Sequence, residues 1–334
     1  MTTYDVHAHC VPAELVELLR ADGPRFDVEV VTEAGGDVVV VAGRTRVGPL
    51  PAELADRDAR LAAMDDAGVD VQLLSHRTDL SAYAIRGDAG PRYARAFNEI
   101  MAAEVAKEPD RFLALGTVPL QDPEAAAAEL RHLVVELGMA GVEIASTVDG
   151  VPLDVAGLEP FWAAAAQLRC LVLLHPNQPL PGVDLSRYFL DNLVGRPAES
   201  TVAIARLLFG GLLDRHPDLV LCLVHGGGFL PYQLGRWQKG YTVVPHLTAR
   251  HLGTPPREIA RRLYYDTLLH IPEAVSFLVG VVGVDRVVMG SDYPYEMHER
   301  QPVRAVDAVP GLTGQDRAAI LGGNVERILA GIRR

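Results

Sequence analysis

Two histidines stand one residue apart near the start of the chain, in YDVHAHC (4–10). On an extended strand, residues two apart face the same side, so His7 and His9 point together. Alone, the pair reads equally as packing or as half of a metal site. Three later residues weigh against coincidence. His175 ends the apolar run CLVLLHP, His225 ends LVLCLVH, and Asp292 ends RVVMGSD. Any one of these would pass as a hydrogen-bonded core residue. Five metal-capable groups at four strand ends fit a common centre better. Imidazoles and a carboxylate suit Zn²⁺ or a related divalent ion. A bound ion lowers the pKa of a water and polarises a substrate oxygen, and a remaining histidine can move protons.

The elements that would position these residues are legible as eight short apolar runs. They lie at 4–10, 69–75, 112–118, 141–146, 170–176, 219–225, 262–268 and 286–292. Continuous apolar runs are what parallel strands buried on both faces look like. Amphipathic stretches separate them. PAELADRDARLAAMDDAG ends at Gly68, a helix-stopping residue, and PRYARAFNEIMAAEVAKEP sets Phe97, Ile100, Met101 and Val105 on one face. Eight strands alternating with helices predict a distorted (β/α)8 TIM barrel, an α/β fold, as one domain over 1–334. An open doubly wound sheet is the runner-up. It would carry a Gly-rich turn after the first strand, where this chain has HCVPAE. A small β-hairpin insertion is expected at 24–50, from two alternating runs around Gly35 and Gly36. A second irregular stretch covers 178–197.

Composition narrows the function classes. The 334 residues carry a formal net charge of −12 with no basic block, which argues against nucleic acid as a partner. The three cysteines, Cys10, Cys170 and Cys222, are far apart in or beside apolar runs, as in a reduced intracellular protein. The first residues lack an apolar signal segment, and no apolar run approaches the ~18 residues of a membrane span. A cytoplasmic enzyme without membrane contact is the expectation.

The motifs DVHAHCVP, LLHP, VHGGGFLPYQLGR and VVMGSDYPY together resemble the amidohydrolase superfamily. Within it they are similar to the branch of 2-amino-3-carboxymuconate 6-semialdehyde decarboxylase and related non-oxidative decarboxylases. MDDAGVDVQ, VPLQD, GVEIAS, RPAES and GGNVERIL fit the same branch, so the resemblance runs from Asp5 to the C-terminus. It implies one metal per subunit, usually zinc and sometimes manganese, held by His7, His9, His175 and Asp292. It implies that His225 and Asp292 are catalytic, with His225 the acid/base on the metal-bound water. Binuclear relatives carry a bridging lysine on strand four, where this chain has Glu143, so a single metal is expected; Glu143 reads as a structural salt-bridge partner, with a place behind the ligands or facing the substrate as the alternative. Arg236 matches an arginine that reaches the substrate carboxylate across a homodimer interface; a surface or interface salt bridge is the equal alternative.

Two departures concern the substrate. The insertion arginine of the branch is displaced: Arg44 and Arg46 are the candidates, and Gly48 stands at the aligned position. His76 and Arg77 follow strand two where small or apolar residues are more often found, placed to meet an anionic or phenolic substrate, with loop residues facing water as the alternative. LDNLVG, around Asn192, lacks the tryptophan of the relative. The implied activity is a metal-dependent, O₂-independent carboxy-lyase acting on a small conjugated or aromatic carboxylate. A metal-dependent hydrolase of a lactone, ester or amide is the alternative. A non-catalytic metal-binding scaffold is the third reading.

Overall fold

The computed structural model of the chain describes residues 1–155, 157–178, 180 and 182–333. Within the irregular stretch 178–197, residues 179 and 181 therefore lie outside the described part. Eight strands form one parallel sheet in sequence order: β1 (Tyr4–His9), β2 (Val71–Ser75), β3 (Phe112–Gly116), β4 (Gly141–Ala145), β5 (Leu171–His175), β6 (Val220–Leu223), β7 (Tyr264–Asp266) and β8 (Val287–Val288). The segment after β8 returns to β1. Val6 N donates to Met289 O at 3.0 Å, Asp292 N to His7 O at 2.7 Å, and His9 N to Tyr293 O at 2.7 Å. These bonds close the ring, and the fold is the expected (β/α)8 barrel.

The strands are apolar on both faces because both are buried. Val6, Leu73, Leu115, Leu171, Leu173, Cys222, Val224 and Val288 fill the interior, with Val325 and Ile328 of the C-terminal helix Asn324–Gly331 against them. Alternate residues such as Val142, Ile144, Val172 and Leu174 belong to the larger cluster with Phe161, Ile204 and Leu207 of the surrounding helices. This alternation sets side-chain direction at the strand ends. Leu171 and Leu173 face in, and so does His175.

At β1 the alternation is broken. Asp5 pairs with Gln72 and Ala8 with Leu74, so three steps on β1 oppose two on β2. Val6 belongs to the interior cluster. Strict alternation from Val6 would send His7 and His9 outward, and the bulge shifts the phase by one residue to bring both inside.

The insertion holds three antiparallel strands, Val28–Glu33, Gly36–Val41 and Thr45–Val47, one more than the expected hairpin. The third is only three residues long, too short for its alternation to stand out in the sequence. Glu33 pairs with Gly36 across a two-residue turn, with φ 124° at Gly36.

Candidate metal centre and active site

The strand ends bring His7, His9, His175 and Asp292 together. One ligand-type atom from each lies within 4.8 Å of the others. His7 Nε2 and His9 Nε2 are 3.2 Å apart, and Asp292 Oδ1 is 3.4 Å and 3.1 Å from them. Donors that share one ion through bonds of about 2.0–2.2 Å stand at such separations. Asp292 Oδ1 is buried without a hydrogen bond among the described residues, as a carboxylate oxygen aimed at a cation would be. The donor set and its spacing fit a single divalent ion.

Each ring is held through its other nitrogen. His7 Nδ1 bonds Asp266 Oδ2 at 2.8 Å, and Asp266 Oδ1 accepts from Gly226 N at 2.8 Å. His9 Nδ1 donates to His76 O at 2.8 Å. His175 Nδ1 donates to Pro176 O at 2.7 Å and lies 2.8 Å from Thr78 Oγ1, whose hydroxyl donates to Glu143 Oε1 at 2.6 Å. Protons on Nδ1 leave all three Nε2 lone pairs facing the centre. Asp292 is aimed by its neighbours: Asp5 accepts from Ser291 N, Ser291 Oγ and His7 N, clipping the two ligand segments together. Gln72 donates to Asp5 at 2.9 Å, and the buried Arg60 bonds both Gln72 Oε1 and His9 O.

The charges agree with the geometry. Burial pulls the His7 imidazolium down, yet Asp292 and Asp266 outweigh it and raise its pKa to about 9. Burial and the neighbouring histidines hold His175 well below the ordinary imidazole value. Burial alone would raise Asp292, but His7, His225 and His9 hold it well below the carboxylate range.

His225 stands beside this group without joining it. Its Nε2 is 3.7 Å from Asp292 Oδ2, and its side chain is 19% exposed against 0% and 1% for His7 and His9. Val224 is an interior residue, so alternation would turn His225 outward. Its φ of 54° redirects it into the mouth, and the following Gly226, Gly227 and Gly228 also take positive φ. A cavity of about 220 Å³ opens above, lined by His9, His175, His225 and Asp292 together with Arg77, Thr78, Phe189, Arg196 and Tyr295 among others.

The four expected substrate-binding residues separate. Arg77 lines the cavity. His76 points the other way: it is fully buried, bonds Ser81 Oγ at 2.7 Å and packs on Phe97, with a pKa lowered by burial. Its backbone oxygen, not its ring, serves the centre. Arg46 lies on the insertion, paired with Glu33 and away from the cavity lining. Arg44 pairs with Asp149. Arg236 is exposed on the helix Leu230–Val243, outside the cavity of its own chain. Glu143 is fully buried, accepts from the Thr78 hydroxyl beside His175 and lies 3.8 Å from His9 Nδ1, so it stands behind the ligand histidines and no Lys or Arg reaches it among the described residues. Sequence reasoning passed over Asp266, Thr78 and Arg196. Asp266 ends an apolar run as the ligands do and was legible by that rule; Thr78 and Arg196 carry no such mark.

Comparison with known proteins places this arrangement. The family model described as amidohydrolase matches residues 4–330. The chain belongs to the amidohydrolase family. Among relatives of this family member, 2-amino-3-carboxymuconate-6-semialdehyde decarboxylase of Dictyostelium discoideum is 34% identical over 274 residues, covering 82% of this chain and 76% of the relative. Gamma-resorcylate decarboxylase of Rhizobium sp. (strain MTP-10005) is 34% identical over 264 residues, covering 72% and 77%. The crystal structure of 5-carboxyvanillate decarboxylase LigW from Sphingomonas paucimobilis superposes with TM-score 0.84 at 27% identity, covering 99% of both chains.

Proposed function

We propose that this amidohydrolase-family chain is a metal-dependent, non-oxidative decarboxylase of a small aromatic or conjugated carboxylate. The observation that carries the reading is His225, a half-buried imidazole standing outside a cluster of four metal-type donors and lining the same cavity. The relatives named above are decarboxylases of such acids. His7, His9, His175 and Asp292 would hold one ion per chain, zinc or manganese by the donor types. When bound, that ion supplies a fixed positive charge against a substrate oxygen near the reacting carbon.

The chain's own groups do the rest. The carbon–carbon bond to the carboxylate breaks, CO₂ leaves, and the electron pair stays on the ring carbon. His225 delivers the proton that converts this pair to a carbon–hydrogen bond. His225 Nε2 lies 3.7 Å from Asp292 Oδ2, at the wall of the cavity. Phe189, Tyr295 and Met297 line the cavity with apolar surface that fits a flat ring and limits water.

We further assign the chain as one barrel domain over 1–334, working in the cytoplasm as a homodimer in which Arg236 meets the partner's substrate. The three cysteines are free and buried, as a reducing compartment allows, and no helix among the described residues is long and apolar enough to cross a membrane. The test is CO₂ release from a panel of hydroxylated aromatic acids, run beside acid release from lactones and esters. His225→Asn should retain metal by elemental analysis and lose about 10²-fold or more in kcat. Full activity in that variant, or acid release without CO₂, would overturn the reading.

A further inference from the structure

Arg77, in the loop after β2, and Arg196, opening the helix Arg196–Phe209, line the same cavity as the candidate metal centre. Each reaches the centre through one intermediate. The Arg77 guanidinium lies 6.0 Å from the Tyr295 ring centroid, and that ring is 5.1 Å from the His9 ring. Arg196 Nη1 donates at 3.2 Å to the carbonyl of Pro176, the residue after His175.

Neither guanidinium is saturated. Arg77 contacts Asp79 through Nε alone, at 3.3 Å, and its terminal nitrogens have no hydrogen-bond partner among the described residues. Arg196 approaches Asp191 only to 3.6 Å. The two side chains are 25% and 27% exposed, half-buried but open to the cavity. A guanidinium offers five donors in a planar fork suited to a carboxylate, and most of those donors are unused here.

The reaction determines which charge they serve. Decarboxylation moves negative charge from the departing carboxylate into the ring. Cations gripping that carboxylate would stabilise the substrate more than the transition state and slow the step. Cations gripping a charge that persists through the reaction bind both states and add affinity without that penalty. We propose that Arg77 and Arg196 form a subsite for a second, retained anionic substituent, so that the preferred substrate is an aromatic acid bearing two anionic groups. This rests on the decarboxylase reading.

The test compares 2-hydroxybenzoate with 4-hydroxybenzene-1,3-dicarboxylate, which differ only in the second carboxylate, on the metal-loaded protein. The dicarboxylate should be favoured about tenfold or more in kcat/KM. Arg196→Ala and Arg77→Ala should each remove much of that preference through KM, lowering kcat/KM for the dicarboxylate several-fold more than for 2-hydroxybenzoate; Arg196→Lys should keep part of it. Calorimetry with the unreactive pair benzoate and benzene-1,3-dicarboxylate should give the same ranking without turnover. Equal losses for both acids would mean that the arginines hold the reacting carboxylate, and the proposal falls. No change in either variant would make them surface charges, and the proposal falls equally. Arginine-dependent binding of the dicarboxylate with no CO₂ from any acid would instead sink the decarboxylase reading and leave the subsite standing.

Discussion

His7 and His175 share a centre but sit at opposite ends of the imidazole range. His7 is raised to about 9 by Asp292 and Asp266 against its burial, whereas His175 is depressed by burial and its neighbours. A divalent ion needs the neutral ring, so it must displace the His7 proton wherever that proton is bound. In the metal-free protein this holds below about pH 9. Metal affinity should therefore rise with pH, by about tenfold per unit, and level off above about 9; His175, already neutral, adds nothing to the slope. Calorimetric titration of Mn²⁺ between pH 7 and 9.5, in buffers of differing ionisation enthalpy, reads both the affinity and the released proton. An affinity flat across this range would show that His7 is neutral before the ion arrives. At this scale much was legible, because the four clustered residues and His225 each end or interrupt an apolar run. His76 was misread although alternation from Leu73 was available: Leu73 faces in, Ser75 follows it, and His76 turns toward Phe97. Thr78 was hidden because a loop threonine has no period to betray its direction.

Elements convert these residues into a site by two departures from regularity. The bulge in β1 rotates His7 and His9 inward, and the left-handed turn at His225 does the same after β6. The apolar runs announce the strands, whereas neither departure changes composition, so both stayed out of sight. The glycines after His225 have a steric reason. Gly228 has φ 62° and ψ −128°, and a Cβ there would lie 2.2 Å from Pro197 O and 2.9 Å from Thr201 Oγ1. Backbone and helix would both have to yield. Gly228→Ala should cost about 2–3 kcal/mol in thermal or urea unfolding. It should also lower kcat, since the displaced loop carries His225. A variant as stable and active as the parent would show that the helix Arg196–Phe209 is free to retreat. The insertion repeats the lesson in reverse. Two of its three strands could be read from alternation, but where Arg46 would end up depended on how the unit docks, which alternation does not encode.

At the scale of the whole molecule several aromatic side chains stay exposed, two of them as a pair. Tyr188 and Tyr232 are 82% and 79% exposed, with Phe189, Phe229 and Phe277 also open, and the Tyr232 and Phe277 rings pair at 6.3 Å. Single exposed aromatics are ordinary, but the Tyr232 and Phe277 pair offers apolar surface that a second copy could cover. Arg236 stands four residues after Tyr232 on the same helix, hence on the same face. Its own cavity does not contain it. In the proposed two-fold dimer, packing of this helix face against its copy would carry each Arg236 toward the neighbouring cavity. Complementation tests that arrangement directly. His225→Asn and Arg236→Ala should each be nearly inactive alone. After mixing and refolding, half of the dimers formed at random are mixed, and each mixed dimer has one cavity with an intact His225 and a partner's intact Arg236. Activity should return to about a quarter of the parent level. Arg236 acting within its own chain would give no such recovery, because no pairing would then rebuild a complete site; a merely surface Arg236 would leave Arg236→Ala active before any mixing.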